Sequence, residues 1–243
     1  MTQPTINPIE QLVDFEKDVL YQEYPGSQEP ECLLIPGNIP ILLSAPHGAV
    51  HTRDGKDKEE DEYTAGIARL VAARTGAHVI YARRKSRTDP NTDPNAPYKK
   101  TLLKIVHENN INFVLDLHGA NKDRDFGIAL GTIRGQSCTE EERKVILTTF
   151  KKHGIAKSGD HLSRLDLDLQ FAGAGNDHRE TIIKFCHENS IHAAQIEINA
   201  WLRIPVRRED ASDSDKEFKG DEQLIRNLVE ALSDIVALLA NGG

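Results

Sequence analysis

Cysteine is scarce in this chain: Cys32, Cys138 and Cys186 are the only three in 243 residues, widely spaced and without a C-x-x-C pair. An odd number so placed argues against a disulfide framework or a thiolate zinc site and makes the cytosol (a cytoplasmic protein) the expected compartment. Long apolar runs are missing as well. The first twenty residues carry Glu10, Asp14, Glu16, Lys17 and Asp18 among their apolar positions, unlike a secretion-signal core, and no later stretch approaches a membrane span, so a soluble protein is expected. Positive charge is in deficit: 30 Lys and Arg against 38 Asp and Glu leave a net charge of −8, and the basic residues are scattered apart from Arg83-Arg84-Lys85-Ser86-Arg87. That argues against a nucleic-acid partner. There is no internal repeat and no linker, so 1–243 reads as one domain, large enough to bury a full core.

Apolar stretches at 39–45, 78–82, 111–117, 126–131 and 193–199 read as strands. Between them, 60–74, 98–109, 139–153, 181–189 and 221–240 read as amphipathic helices, the first stopped by Thr75-Gly76 and the last carrying Leu224, Leu228, Leu232, Val236 and Leu239 on one stripe. Segments 1–30 and 157–176 read as loop-rich. Alternation of this kind predicts an α/β fold, a three-layer sandwich with a mostly parallel or mixed central sheet and helices on both faces.

Two of the strands end alike, in Ser44-Ala45-Pro46-His47-Gly48 and Asp116-Leu117-His118-Gly119. One histidine after a strand is ordinarily a polar group at a solvated turn. Two, each followed by glycine at the same edge of a sheet, place a pair of imidazoles where α/β folds bind ligands, and the missing Cβ atoms suit a close approach of backbone. A carboxylate from Glu59-Glu60-Asp61-Glu62, at the opening of the intervening helix, completes a two-histidine, one-carboxylate set with an open metal position for water. Asp116, two residues before His118, shares its strand face and is placed to orient that ring or to cap backbone donors.

The strand at 193–199 has a polar face of Gln195, Glu197 and Asn199 opposite Ile196 and Ile198. It is either an edge strand with a solvated face or a central strand whose Glu197 takes the proton of a metal-activated water. Arg203, just past the strand, suits a two-pronged hydrogen bond to a substrate carboxylate. The glycines of Gly173-Ala174-Gly175 mark a candidate flap before the helix at 181, where an Asn or Asp is first of all an N-cap and His178 and Arg179 are less favoured contacts to an anion. His153, His161, His187 and His192 lack acidic partners at ligand spacing and read as surface residues.

The order S-A-P-H-G, D-E-Y-T, D-L-H-G and Q-I-E-I-N resembles the N-formylglutamate amidohydrolase family, whose fold is related to the zinc carboxypeptidases and aspartoacylases; the resemblance runs over about 41–203. It implies a hydrolase with one zinc per chain, acting on a carbon–nitrogen bond other than a peptide bond in a small N-acyl amino acid that carries a carboxylate. His47 and His118 match the histidine ligands, and Glu197 the acid that activates water. The acidic-x-x-Thr pattern of the family favours Asp61 as the third ligand, whereas the acidic-x-Thr pattern of the aspartoacylases falls on Glu62. One departure stands out: the family's Asp-x-Asn-Arg element meets Asp89-Pro90-Asn91-Thr92 here, with Asn91 in place but no Arg after it. The departure argues against formylglutamate as the substrate and leaves Arg87, Arg83 or Arg84 to supply the charge. Two alternatives remain, a zinc peptidase or desuccinylase-like enzyme on a short or γ-linked peptide, and a silent metal- or ligand-binding protein. The expected partner is a small carboxylate-bearing molecule, with no nucleic acid and no membrane; a homo-oligomer is compatible with the sequence.

Overall fold

The computed structural model describes residues 7–176 and 178–242. In chain order the elements are α1 (Pro8–Glu16), β1 (Cys32–Ile35), β2 (Ile41–Ala45), β3 (His51–Arg53), β4 (Lys56–Lys58), α2 (Thr64–Thr75), β5 (His78–Ala82) and α3 (Pro97–Glu108). There follow β6 (Phe113–Ala120), β7 (Ile128–Gly131), α4 (Glu140–Lys152), β8 (Leu165–Leu167), α5 (Ile182–Glu188), β9 (His192–Asn199) and α6 (Glu222–Ala240). Seven strands form one mixed sheet in the order β1-β5-β2-β6-β9-β7-β8, and β3 and β4 form a separate hairpin. The central strands β5, β2, β6 and β9 are parallel; β1 and β7 join antiparallel, and β8 runs parallel to β7.

Period-two alternation sorts the side chains between two layers. Ile41, Leu43, Leu115, Leu117, Ile196 and Ile198 face α1, α2, α4 and α6 in the larger core cluster. Leu42, Val114 and Ala193 face α3 and α5 in a second cluster. The polar residues in register with that second set, Ser44, Asp116, His118, Gln195 and Glu197, therefore share its face toward the strand ends. No helix among the described residues is long and apolar enough to cross a membrane.

Several expectations change. The stretch 193–199 is not an edge strand: β9 lies between β6 and β7 and is buried from Ala193 to Asn199, so its polar face lines an internal site. Segment 1–30 contains α1, and 157–176 contains β8. The helix expected from residue 60 starts at Thr64, because Tyr63 takes a left-handed conformation (φ 65°) and 51–58 fold as the hairpin. Asp61 and Glu62 thus lie in a loop. The opening turn of α2 has no local side-chain cap. Its donors are met from α1 instead: the buried Glu16 carboxylate accepts from Tyr63 N–H (2.9 Å), Gly66 N–H (2.6 Å) and Tyr21 Oη (2.6 Å). A carboxylate at a helix N-terminus also complements the helix dipole.

Candidate metal centre

His47 stands in the turn after β2, His118 on β6 and Asp61 in the loop before α2. The loop is tied down locally: Asp61 N–H donates to His47 O (2.8 Å), and Asp61 O accepts from Thr64 N–H (3.0 Å) and Oγ1 (2.8 Å). The result is a triangle of donors. His47 Nδ1 and His118 Nδ1 are 3.2 Å apart, and each lies 3.4 Å from Asp61 Oδ2. Ligands about 2.0–2.1 Å from a tetrahedral zinc are separated from one another by about 3.3 Å. These residues fit a zinc ion in spacing and in donor type.

The opposite nitrogens are held by carboxylates. His47 Nε2 lies 2.9 Å from Asp89 Oδ1, and His118 Nε2 lies 2.8 Å from Asp116 Oδ2. Such partners fix the ring orientation and leave Nδ1 to coordinate. Asp89 is in turn held by Asn91 N–H (2.9 Å), Thr92 Oγ1 (2.6 Å) and Arg53 Nε; Asp116 accepts from Ser44 Oγ (2.7 Å). Electrostatics agree with the geometry. Burial disfavours charge on the rings, yet Asp61 and Asp89 raise His47 above the ordinary histidine pKa, and Asp116 with Asp61 raises His118 well above it. Burial pushes Asp61 and Asp89 up, but the facing histidines hold both well below the carboxylate range. The cluster is built around positive charge.

Glu62 points elsewhere: Oε1 accepts from Arg207 Nε (3.0 Å), and Oε2 is buried without a partner. A second group, His47, His51 and Asp89, has ligand-like spacing. Arg53 already sits on Asp89 and within 3.4 Å of His51 Nε2, so a cation there would meet a guanidinium. His51 instead stacks on His47, with ring centres 3.9 Å apart and planes at 4°; burial and the neighbouring His47 push its pKa down to about 3, so it stays neutral.

Glu197 lies beside the triangle, in register with His118 across β6 and β9. Gln195 Nε2 donates to its Oε1 (2.9 Å). Burial raises its pKa to about 7, against the pull of His118 and His47. Arg203 is buried, its Nε donating to Ile198 O (3.2 Å) and its Nη1 to Glu62 O. Its guanidinium passes where a Cβ on residue 119 would be, 2.7 Å from Cζ, so Gly119 is required by this close approach. Gly48 has a different reason: a Cβ there would lie 2.7 Å from Ala82 O.

His47, Asp61, His118, Glu197 and Arg203 line one cleft of about 1050 Å³. Asn91 lines it too, while its Oδ1 accepts from Ile182 N–H (2.8 Å) at the start of α5. Arg87 does not; it lies over the Tyr24 ring, 4.4 Å from the centroid, and Arg83 and Arg84 are engaged with Asp18 and with Glu23 and Glu29. Arg53, Arg134, Arg179, Arg203 and Arg207 are the arginines of the cleft. In the expected flap, Arg179 pairs with Asp54 of the hairpin (2.8 Å), whereas Asp177, one of its candidate caps, lies outside the described residues; Thr181 caps α5. Of the other histidines, His192 is exposed beside Glu142, whereas His153 is partly buried against Asp234. His51, Arg53 and Arg207 have no motif around them, and Asp89 is visible in the sequence as the first residue of the Asp-x-Asn element, without its bond to His47.

No family model and no curated protein matches the chain. Solved structures do. An N-formylglutamate amidohydrolase from Ralstonia eutropha JMP134 aligns at TM-score 0.60 and 14% identity over 87% of this chain and 97% of that one. A bacteriophage poly-gamma-glutamate hydrolase aligns at 0.52 and 12% over 90% and 94%, and LapA of Legionella at 0.50 and 9% over 96% and 72%. At these identities the similarity is one of fold.

Proposed function

We propose that this chain is a zinc-dependent amidohydrolase that cleaves the amide bond of a small, carboxylate-bearing N-acyl amino acid. The observation that carries the reading is the triangle of His47 Nδ1, His118 Nδ1 and Asp61 Oδ2, closed from behind by Asp89 and Asp116, with a non-ligating buried carboxylate, Glu197, at its side. Zinc held there would supply Lewis acidity, polarising a carbonyl and making water nucleophilic near neutral pH.

The residues of the chain do the rest. Glu197, whose carboxyl burial raises to about 7 in the metal-free protein, takes the proton from the attacking water and returns it to the leaving nitrogen, a shuttle that works best when donor and acceptor states are both accessible. Gln195 holds Glu197 Oε1 and so fixes the carboxylate. Arg203, pinned by two backbone carbonyls and without a carboxylate within 4.0 Å among the described residues, receives the carboxylate of the substrate. Burial of His118, Glu197 and Arg203 strengthens these interactions.

The size of the cleft favours one of the alternatives in part. About 1050 Å³ is at the upper end of what drug-sized ligands occupy, so a short or γ-linked peptide fits as readily as a single N-acyl amino acid. Both the structurally similar formylglutamate amidohydrolase and the poly-gamma-glutamate hydrolase bear names of amide-cleaving enzymes. A silent binding protein has no use for Glu197. The test is metal analysis together with hydrolysis of a panel of N-formyl, N-acetyl and N-succinyl amino acids and α- and γ-linked dipeptides. Zinc and turnover confined to compounds with a free carboxylate support the proposal, and a metal-free protein or one inert to the whole panel refutes it.

A further inference from the structure

The turn between β7 and α4 is strained in a way the proposed chemistry does not use. Ile133 (φ 50°), Arg134 (φ 55°) and Gly135 (φ 85°) are consecutive left-handed residues, and Asp168, which braces them, is left-handed too (φ 55°). A β-branched residue there is a marked outlier, and such strain persists only where surrounding contacts impose it. They do: Asp168 accepts from Thr132 N–H (2.6 Å), Thr132 Oγ1 (2.6 Å) and Arg134 N–H (3.2 Å). Ile133 N–H donates to Ala172 O (2.9 Å), and a Cβ on Gly131 would lie 2.2 Å from Phe171 O. The turn and the 169–172 wall are thus one block. What the block presents to the cleft is Arg134, which has no carboxylate within 4.0 Å among the described residues, and Leu169, 81% exposed.

The register locates this block relative to Arg203. Gly131, where the turn begins, faces Gln195 on β9, and Ile198, which holds Arg203, lies three residues further along, roughly 10 Å at strand spacing. Glu197 and the His118 beside it lie between the two. Along β9, the turn that bears Arg134 and the carbonyl that holds Arg203 thus lie on opposite sides of Glu197; Arg203 faces the Glu62 carboxyl from beyond 4.0 Å, whereas Arg134 has no such partner among the described residues and has the apolar Leu169 in the wall braced against its turn.

We propose that Arg134 binds a second anionic group of the substrate, so that the compounds taken are dianions: N-acyl amino acids whose acyl chain itself ends in a carboxylate, with an uncharged stretch lying along Leu169 and Phe171. The proposal rests on reading this cleft as the amide-binding site. Arg134 is a specificity residue in it, and a two-pronged contact at an exposed position contributes roughly three- to tenfold in affinity.

The matched probes are N-glutaryl-leucine and N-hexanoyl-leucine, of similar length and differing in the distal carboxylate. Binding is measured by calorimetry on the zinc-loaded Glu197→Gln protein, and hydrolysis of both compounds is followed separately with the unsubstituted chain. The diacid should bind roughly three- to tenfold tighter, Arg134→Gln should bring the ratio to about one, and Arg134→Lys should keep part of it. A ratio near one without substitution at 134, a ratio insensitive to Arg134→Gln, or no binding of either compound overturns the proposal. Binding with the expected ratio but hydrolysis of neither these compounds nor any member of the panel upholds the Arg134 assignment while refuting the amidohydrolase reading.

Discussion

The Nδ1 atoms of His47 and His118 face each other across 3.2 Å, each ring fixed from behind by its own carboxylate. Two lone pairs at that distance require a proton or a cation between them, and Asp61 at 3.4 Å from both supplies the third corner. The protein should accordingly hold about one zinc per chain. His118→Ala and Asp61→Ala should lose it. Glu62→Ala, which removes a carboxylate engaged with Arg207, should retain it. Elemental analysis of the four proteins decides the matter; metal loss on changing Glu62 in place of Asp61 would reverse the ligand assignment.

Zinc and protons compete for the same nitrogens. Both histidines have folded-state pKa values raised above about 6.5, so their favourable pairing in the metal-free protein is fully present below that pH and fades as pH rises through the raised values. Asp61 and Asp89, held low, contribute above about 3.9 and lose that contribution as pH falls through their depressed values. Thermal denaturation after chelation should thus show stability declining as pH rises above about 6.5 and through the raised histidine values, a decline that zinc abolishes. Zinc affinity should fall on acidification, with proton release on binding. A chelated protein with flat stability over that range would contradict the paired cluster.

Glu197 is assigned to proton transfer and not to coordination. Glu197→Gln keeps the shape and the neighbour Gln195, so zinc content and fold should persist while turnover drops by roughly 10² to 10⁴. Burial raises the Glu197 carboxyl to about 7 in the metal-free protein, so with zinc kept saturating the acid limb of the rate profile should change in Glu197→Gln. Loss of zinc in this variant would make Glu197 a ligand.

The buried Glu16 carboxylate caps a helix 47 residues away in sequence, accepting from Tyr63 and Gly66. Glu16→Ala should cost about 1–3 kcal/mol, the range for stranding buried donors. Glu16→Gln should recover only part, because an amide offers one acceptor oxygen to three donors. The denaturant midpoint should shift with an unchanged slope, and an unaltered midpoint in Glu16→Ala would refute the cap.

That cap also shows why part of the molecule was unreadable from sequence. His47, His118 and Glu197 announce themselves because each sits on or just after an apolar strand, and strand pairing alone brings them together. The acidic run before Thr64 imitates a helix start, since acids are favourable in any first helical turn; the actual start is set by the left-handed Tyr63, held from α1. Asp89 likewise combines a local turn role, which its spacing to Asn91 and Thr92 reveals, with a bond to His47 that only the tertiary fold creates. The hairpin carrying His51 and Arg53 is short and polar, so it has no apolar alternation to betray it.

Arg203 is the residue whose role is easiest to confuse with structure, because it is buried and bonded to the carbonyls of Glu62 and Ile198. Arg203→Ala removes both bonds and a positive charge, so a loss of activity alone would not separate substrate binding from support of the loop that carries Asp61. Two variants together do. If the guanidinium binds a carboxylate equally in ground and transition states, Arg203→Ala raises KM more than it lowers kcat, while zinc content holds. Gly119→Ala leaves the arginine in place but sets a Cβ 2.7 Å from its Cζ, forcing the guanidinium to move. It should reproduce the rise in KM with metal retained. A fall mainly in kcat for both would place Arg203 on the developing oxyanion. Loss of zinc in Arg203→Ala would show that its task is to hold the Asp61 loop. Formylglutamate should be a poor substrate throughout, since Thr92 stands where the resemblance calls for an arginine after Asn91; efficient turnover would mean that a cleft arginine such as Arg53 or Arg207 serves in its stead.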